Sequence, residues 1–266
     1  MVETNELLVT RSEPGVAVVT LNRPQARNAL SLSVLHQLHV AFKTLGADKQ
    51  VAAIVLAANG PVFSSGHDLK EMTAHRADKD GGHAFFETTM RSCSEMMQAV
   101  VHCPRPVIAA VSGVATAAGC QLVASCDLAV AAESATFATP GVNIGLFCST
   151  PMVALSRNVP RKKAMEMLLL GEAMSADDAV QYGLVNRAVA PGDVLAEALA
   201  MARKIASKSK ATIAIGKSAF YRQIEAPLGE AYLYAARIMV ENMMAADAEE
   251  GICAFIEKRP PQWTGG

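Results

Sequence analysis

The chain has little that would staple it or tie it to a metal. Its six cysteines, at positions 93, 103, 120, 126, 148 and 253, form no Cys-x-x-Cys pair and no dense framework. A zinc ribbon and a disulfide scaffold are therefore excluded, and the thiols read as buried groups in a reducing compartment. His36 and His39 lie three apart with no carboxylate or thiol pattern beside them, so no metal site is expected. Charge is scarce at 18% and balanced, 24 Lys+Arg against 25 Asp+Glu, which leaves no excess to attract nucleic acid or an anionic membrane. The opening MVETNELLVT lacks a basic segment followed by an apolar one, so no secretory signal is expected. The bacterial cytoplasm is the expected location, with the mitochondrial matrix as the alternative if a transit peptide has been removed. Residues 106–126 carry no charge, but Pro106, Ser112, Gly113, Gly119 and Gln121 break the run, which reads as core rather than as a membrane span. G-x-S-x-G, the P-loop and G-x-G-x-x-G are all missing, which argues against a serine hydrolase, a nucleotide hydrolase and a dinucleotide enzyme.

What is present is an α/β pattern in a chain that is 51% hydrophobic. Apolar, β-branched runs at 16–21, 51–57, 106–111 and 128–132 predict strands. Leu32, Leu35, Leu38 and Phe42 predict a helix over 31–45 with one buried face, and a second helix is expected over 84–101. After Val189 the pattern turns helical, with Val194, Leu195, Ala198, Leu199, Ala202 and Ile205 forming one stripe. Further helices are expected near 210–224, 229–244 and 246–258. The expected organisation is an α/β core over 1–190 and a helical region over 191–266.

Two small-residue turns draw attention for chemistry. GPVFSSGHDL (60–69) follows a predicted strand, and Gly66 would allow a sharp turn that presents the His67 N–H. SGVATAAGCQL (112–122) also follows a strand and leads into a helix, whose first N–H groups, near Ala117 and Ala118, point outward at the positive end of the dipole. Two such donors converging on one oxygen make an oxyanion hole. The same residues also fit a structural reading, with Asp68 capping a helix and 117–119 permitting close packing.

The chain resembles the crotonase superfamily, the enoyl-CoA hydratase/isomerase group, and within it a divergent mitochondrial branch. The resemblance rests on LNRPQARNALS (21–31), FSSGHDL (63–69), PVIAAVSGVATAAGCQLVASCDLAVA (106–131), FATPGVNIGLF (137–147) and GLVNRAV (183–189). It implies a spiral of ββα units with a helical C-terminal trimerisation region, assembled as a homotrimer or a dimer of trimers. It also implies an acyl-CoA ligand, with coenzyme A arriving as part of the substrate and no separate cofactor or metal. Carried over by motif, the thioester carbonyl would accept from the backbone N–H groups of His67 and Ala118. His67, Asp68, Leu69 and Lys70 would line the thioester and CoA pocket, and Ala26, Arg27, Asn28 and Ala29 would run along the CoA.

The departures from the family lie in the acid/base pair. The two glutamates that hydrate a double bond in the hydratases fall, by spacing, on Gln121 and Gly141, and neither can exchange the proton. Candidate substitutes are Cys148, Ser149 and Thr150 in the FCST run and the imidazole of His67. Asp127, Glu133, Glu71 and His75 are read as structural or surface residues. Three functions follow: a crotonase-type, lyase-class enzyme acting on a CoA thioester through an enolate, with a divergent thioester decarboxylase or hydrolase as its variant; a CoA-thioester binding protein without turnover; and an acyl transferase or hydrolase with Cys148 or Cys120 as nucleophile.

Overall fold

The computed structural model describes residues 6–265. Strand β1 (Leu7–Glu13) pairs antiparallel with β2 (Val16–Leu21), and β2 runs parallel to β3 (Ala53–Ala58), which begins after helix α1 (Leu32–Ala47). The short β4 (Val62–Ser64) then leaves this sheet for a second one. Helices α2 (Leu69–Ala74) and α3 (His83–Val101) lead to β5 (Val107–Val111), β6 (Val114–Thr116) and α4 (Ala118–Ser125). Next come β7 (Leu128–Ala132), β8 (Thr136–Ala138), α5 (Pro151–Leu155), α6 (Arg161–Leu170), β9 (Met174–Ser175), α7 (Ala176–Gln181) and β10 (Arg187–Val189).

The larger sheet has the order β1-β2-β3-β5-β7-β10 and the smaller one β4-β6-β8-β9. Each of β3, β5 and β7 in the larger sheet is thus followed at once by a short strand in the smaller one. This is the repeated strand–strand–helix turn of a spiral. The repeat is geometric and leaves no trace as repeated sequence. The predicted strands at 16–21 and 128–132 match β2 and β7, and those at 51–57 and 106–111 overlap β3 and β5. The central strands are buried on both faces, as parallel strands covered by helices must be.

Helix α1 forms as its spacing requires. Ser31 caps it by accepting from the Val34 N–H, and Val34, Leu35, Leu38, Phe42 and Leu45 are buried. It packs against α3, whose Cys93, Met96, Met97 and Val100 face the core.

Beyond β10 the described chain is helical: α8 (Val194–Ala206), α9 (Lys210–Gln223), α10 (Leu228–Met243) and α11 (Ala246–Ile256). Helix α8 buries Val194, Ala198 and Ala202 against the larger sheet. Helix α9 is anchored by a polar knot in which Asp127 accepts from Lys217 Nζ (2.6 Å), Tyr221 Oη (3.0 Å) and the Val107 N–H (2.7 Å). Burial pushes the Asp127 carboxyl up against the pull of Lys217, so this acid is a structural tie. The C-terminal tail returns to α11, where the buried Asp247 accepts from Ser209 Oγ (2.6 Å) and from the Thr264 N–H (2.7 Å).

Candidate active site at the ends of three parallel strands

Strands β4, β6 and β8 lie side by side and parallel, so the segments that leave them are neighbours. The first carries Gly66 and His67, the second Ala117 and Ala118, and the third Gly141. Three segments singled out in sequence, up to 75 residues apart counting Gly66 and Gly141, are therefore gathered at the carboxyl edge of one small sheet.

The first turn is aimed by its own backbone. Gly66 has φ +85°, and its carbonyl accepts from the Leu30 N–H at 2.8 Å, while Asp68 N–H donates to the Leu30 carbonyl at 3.3 Å. The peptide units of the described residues are trans, so anchoring the Gly66 C=O toward Leu30 turns the His67 N–H the opposite way. The second turn is bent at Ala117, a non-glycine residue at φ 52° and ψ −120°. Its N–H donates to the Ala138 carbonyl (2.9 Å) and its carbonyl accepts from the Gln121 N–H (3.0 Å). A backbone in so sparse a region costs about 1–3 kcal/mol and persists only where its surroundings fix it. Here it leaves the Ala118 N–H at the open start of α4. Neither the His67 N–H nor the Ala118 N–H donates a hydrogen bond among the described residues.

The turns touch. A Cβ on Gly66 would lie 2.8 Å from the Ala117 Cβ and 3.1 Å from the Ala118 nitrogen, and a Cβ on Gly119 would lie 2.3 Å from the Ser64 carbonyl oxygen. Glycine at 66 and 119 is what lets the two turns approach this closely.

The expected acid/base positions look different. Gln121 lies one turn into α4, buried, and helical side chains lean toward the helix start, here the Ala118 end. Its Oε1 is 4.0 Å from the Cys93 thiol. Gly141 is closed off: a Cβ there would lie 2.8 Å from the Leu146 carbonyl oxygen and 2.9 Å from Cys148 Sγ, because the Leu146 N–H bonds back to the Gly141 carbonyl (2.9 Å). The loop 146–148 thus fills the space that an acid at 141 would need.

The substitutes fare unevenly. Cys148 is brought against Gly141, and burial pushes its thiol up; the Cys120 thiol is pushed up to about 12 by the same cause. Neither is primed as a thiolate nucleophile. Ser149 is exposed and its hydroxyl turns to the Phe147 carbonyl (3.4 Å). His67 has its imidazole lowered to about 4 by burial, and its Nε2 is buried without a hydrogen-bond partner, so at neutral pH the ring is uncharged.

Among the residues matched to the CoA loop, Arg27 is exposed and Ala26 half-buried, whereas the Asn28 side chain is a buried knot. Its amide donates to the Val62 (2.7 Å) and Asn59 (2.9 Å) carbonyls and accepts from the Arg23 N–H (2.8 Å). Asp68 caps α2, accepting from the Lys70 and Glu71 N–H groups. An open groove of about 530 Å³ runs along α2 beside Leu69, Lys70, Thr73 and Ala74. Two residues outside the donor pair have contacts that define their place. Glu71 accepts from the Leu32 N–H at 3.0 Å, capping α1 from another segment, and His75 stacks on Phe85 (3.6 Å between centroids) while pairing with Asp78. Arg23 escaped sequence reasoning too. The uncapped first N–H of α1 was the one available signal for Glu71.

A profile of the enoyl-CoA hydratase/isomerase family matches residues 11–266. The chain belongs to that family. It is 47% identical over 258 residues to the mitochondrial enoyl-CoA hydratase domain-containing protein 3 of Rattus norvegicus, covering 97% of this chain and 84% of the relative. Among solved structures, an enoyl-CoA hydratase of Mycobacterium smegmatis superposes with a TM-score of 0.92 at 55% identity, covering 97% of this chain and 98% of the other. The human enoyl-CoA hydratase domain-containing protein 3 superposes equally well, at 0.92 and 44% identity, covering 97% and 100%. The fold is that of the crotonases.

Proposed function

We propose that this member of the enoyl-CoA hydratase/isomerase family binds an acyl-CoA or enoyl-CoA thioester and holds its carbonyl oxygen between the His67 and Ala118 amides. The observation that carries the reading is the pair of adjacent, unengaged main-chain donors, one aimed by Leu30 and the other by the strained bend at Ala117. Such donors stabilise the enolate that forms when charge moves onto the oxygen. Coenzyme A lies along 26–29 and 67–70, where the exposed cations of Arg27 and Lys70 meet its phosphates. No metal or separate cofactor takes part. Exposed apolar side chains on α10 and α11, including Leu233 (77%) and Phe255 (84%), suit burial between subunits of a homotrimer or a dimer of trimers.

Water addition through paired carboxylates is not the reaction, since positions 121 and 141 hold an amide and a hydrogen atom. The favoured chemistry is one that asks only for enolate stabilisation, such as thioester decarboxylation or a related lyase step. A binding protein without turnover is the second reading, and the closed loop over Gly141 favours it.

Titration with butyryl-CoA alongside an assay of crotonyl-CoA hydration tests the proposal. Micromolar binding is expected, with hydration near the uncatalysed rate. Gln121→Glu combined with Gly141→Glu is expected to destabilise the loop 146–148 before it restores any hydration, because the second carboxylate has no room. Failure of the unmodified protein to bind any acyl-CoA would end the reading.

A further inference from the structure

The His67 amide is only as well aimed as the peptide that carries it, and that peptide starts at a glycine, the residue with the widest backbone freedom. Two bonds to one residue, Leu30, hold it. The direction of the donor therefore depends on how firmly Leu30 is held relative to Gly66–Asp68.

One side chain reaches both sides of that contact. Arg23 Nη1 donates to the Ala29 carbonyl at 2.9 Å, one residue before Leu30, and Nη2 meets Asp68 Oδ2 at 3.2 Å, one residue after His67. Nε pairs with Glu6 at 3.0 Å. All three guanidinium nitrogens are thus engaged, and the Arg23 and Asp68 side chains are mostly out of solvent, at 19% and 15% exposure. The other Asp68 oxygen caps α2, so the same carboxylate fixes the start of that helix. A planar fork can hold three acceptors in fixed directions at once, which a lysine ammonium on a flexible stem cannot. The consequence that bears on the donor is directional, since the fork holds Ala29 and Asp68 at a fixed separation.

We propose that Arg23 is a positioning residue for the oxyanion hole: by joining Ala29 to Asp68 it locks the Leu30–Gly66 contact and so sets the direction of the His67 N–H. The inference rests on the thioester reading above and extends it to a residue outside the donor pair and outside segments 26–29 and 67–70.

The test uses butyryl-CoA labelled with ¹³C at the thioester carbonyl. Infrared difference spectra report hydrogen bonding to that carbonyl, and calorimetric titrations compare butyryl-CoA with free CoA, which has no carbonyl to offer the hole. The unmodified protein is expected to lower the carbonyl stretch and to prefer butyryl-CoA. Arg23→Gln is expected to lose most of the spectral shift and about five-fold of that preference, the size of one weakened hydrogen bond. Arg23→Lys, which keeps the charge without the fork, should follow Arg23→Gln, and it decides the matter on the same readouts if Arg23→Gln does not fold. Glu6→Gln removes the outer partner and should lower the melting temperature while the carbonyl signature stays. An unchanged stretch and preference in folded Arg23 variants would overturn the inference and leave thioester binding standing. No shift and no preference in the unmodified protein would instead remove the hole, and the inference with it.

Discussion

The two halves of the candidate site are built from different materials. The donor half consists of main-chain amides at 67 and 118, on turns held by hydrogen bonds to Leu30, Ala138 and Gln121 that glycines at 66 and 119 let approach each other. The other half, where the resemblance to the hydratases would place an acid/base pair, falls on side chains at 121 and 141, and there the sequence has an amide and no side chain at all. At 141 the surroundings are closed as well, since a Cβ there would lie 2.8 Å from the Leu146 carbonyl oxygen and 2.9 Å from Cys148 Sγ. The contrast teaches that an oxyanion hole belongs to the backbone conformation, whereas proton transfer belongs to individual side chains.

The comparison breaks most severely at Gly119. Gly119→Ala sets a methyl 2.3 Å from the Ser64 carbonyl oxygen, with buried backbone on both sides. A loss of about 3 kcal/mol in urea unfolding is expected, together with loss of acyl-CoA binding. If Gly119→Ala folds and binds normally, the donor half is not held by that close approach.

A smaller effect comes from His67, whose imidazole is lowered to about 4 by burial while the unfolded chain titrates near the ordinary value of 6.5. Between those values the unfolded state binds the proton more readily, so stability is complete above pH 6.5 and falls as the solution is acidified toward pH 4. The expected decrease from pH 7 to pH 5 is about 2 kcal/mol, and His67→Leu should flatten that part of the profile. An unaltered profile in His67→Leu would mean that the proton goes elsewhere.

The mildest change is Gly141→Ala. Its methyl meets the Leu146 carbonyl at 2.8 Å, but Leu146 sits in an exposed loop that can yield. A cost of about 1 kcal/mol is expected. Acyl-CoA affinity measured on the same sample should fall far less than in Gly119→Ala, and an equal fall would erase the distinction between the halves.

Much of this was readable before any coordinates. Continuous apolar, β-branched runs located β2 and β7, and steps of three and four located α1 and α8, because those elements bury a run or a stripe of their own residues. Strands β4, β6, β8 and β9 were not legible: each is two or three residues long, too short for any period, and each exists because neighbouring strands pair with it. Gly66 and the small residues at 117–119 signalled the two turns, but their convergence depends on β4 and β6 lying side by side. Asp68 as a cap was legible from its place before a helix. Glu71 and Arg23 were not, since their partners lie on segments 39 and 45 residues away, counting Leu32 and Asp68. The closure over Gly141 was hidden for a similar reason, as a glycine in sequence does not disclose what leans on it.

The strained bend at Ala117 bears on how such a protein can change over time. No replacement of the side chain at 67 or 118 deletes an N–H unless it installs proline, so random substitution erodes the grip on a carbonyl slowly. A single nucleotide change, by contrast, suffices to exchange a glutamate for glutamine or glycine. Descent within this fold is therefore biased: lineages can shed a reaction early and keep the capacity to hold its substrate, which leaves a ready platform for a different reaction or for sensing the ligand alone.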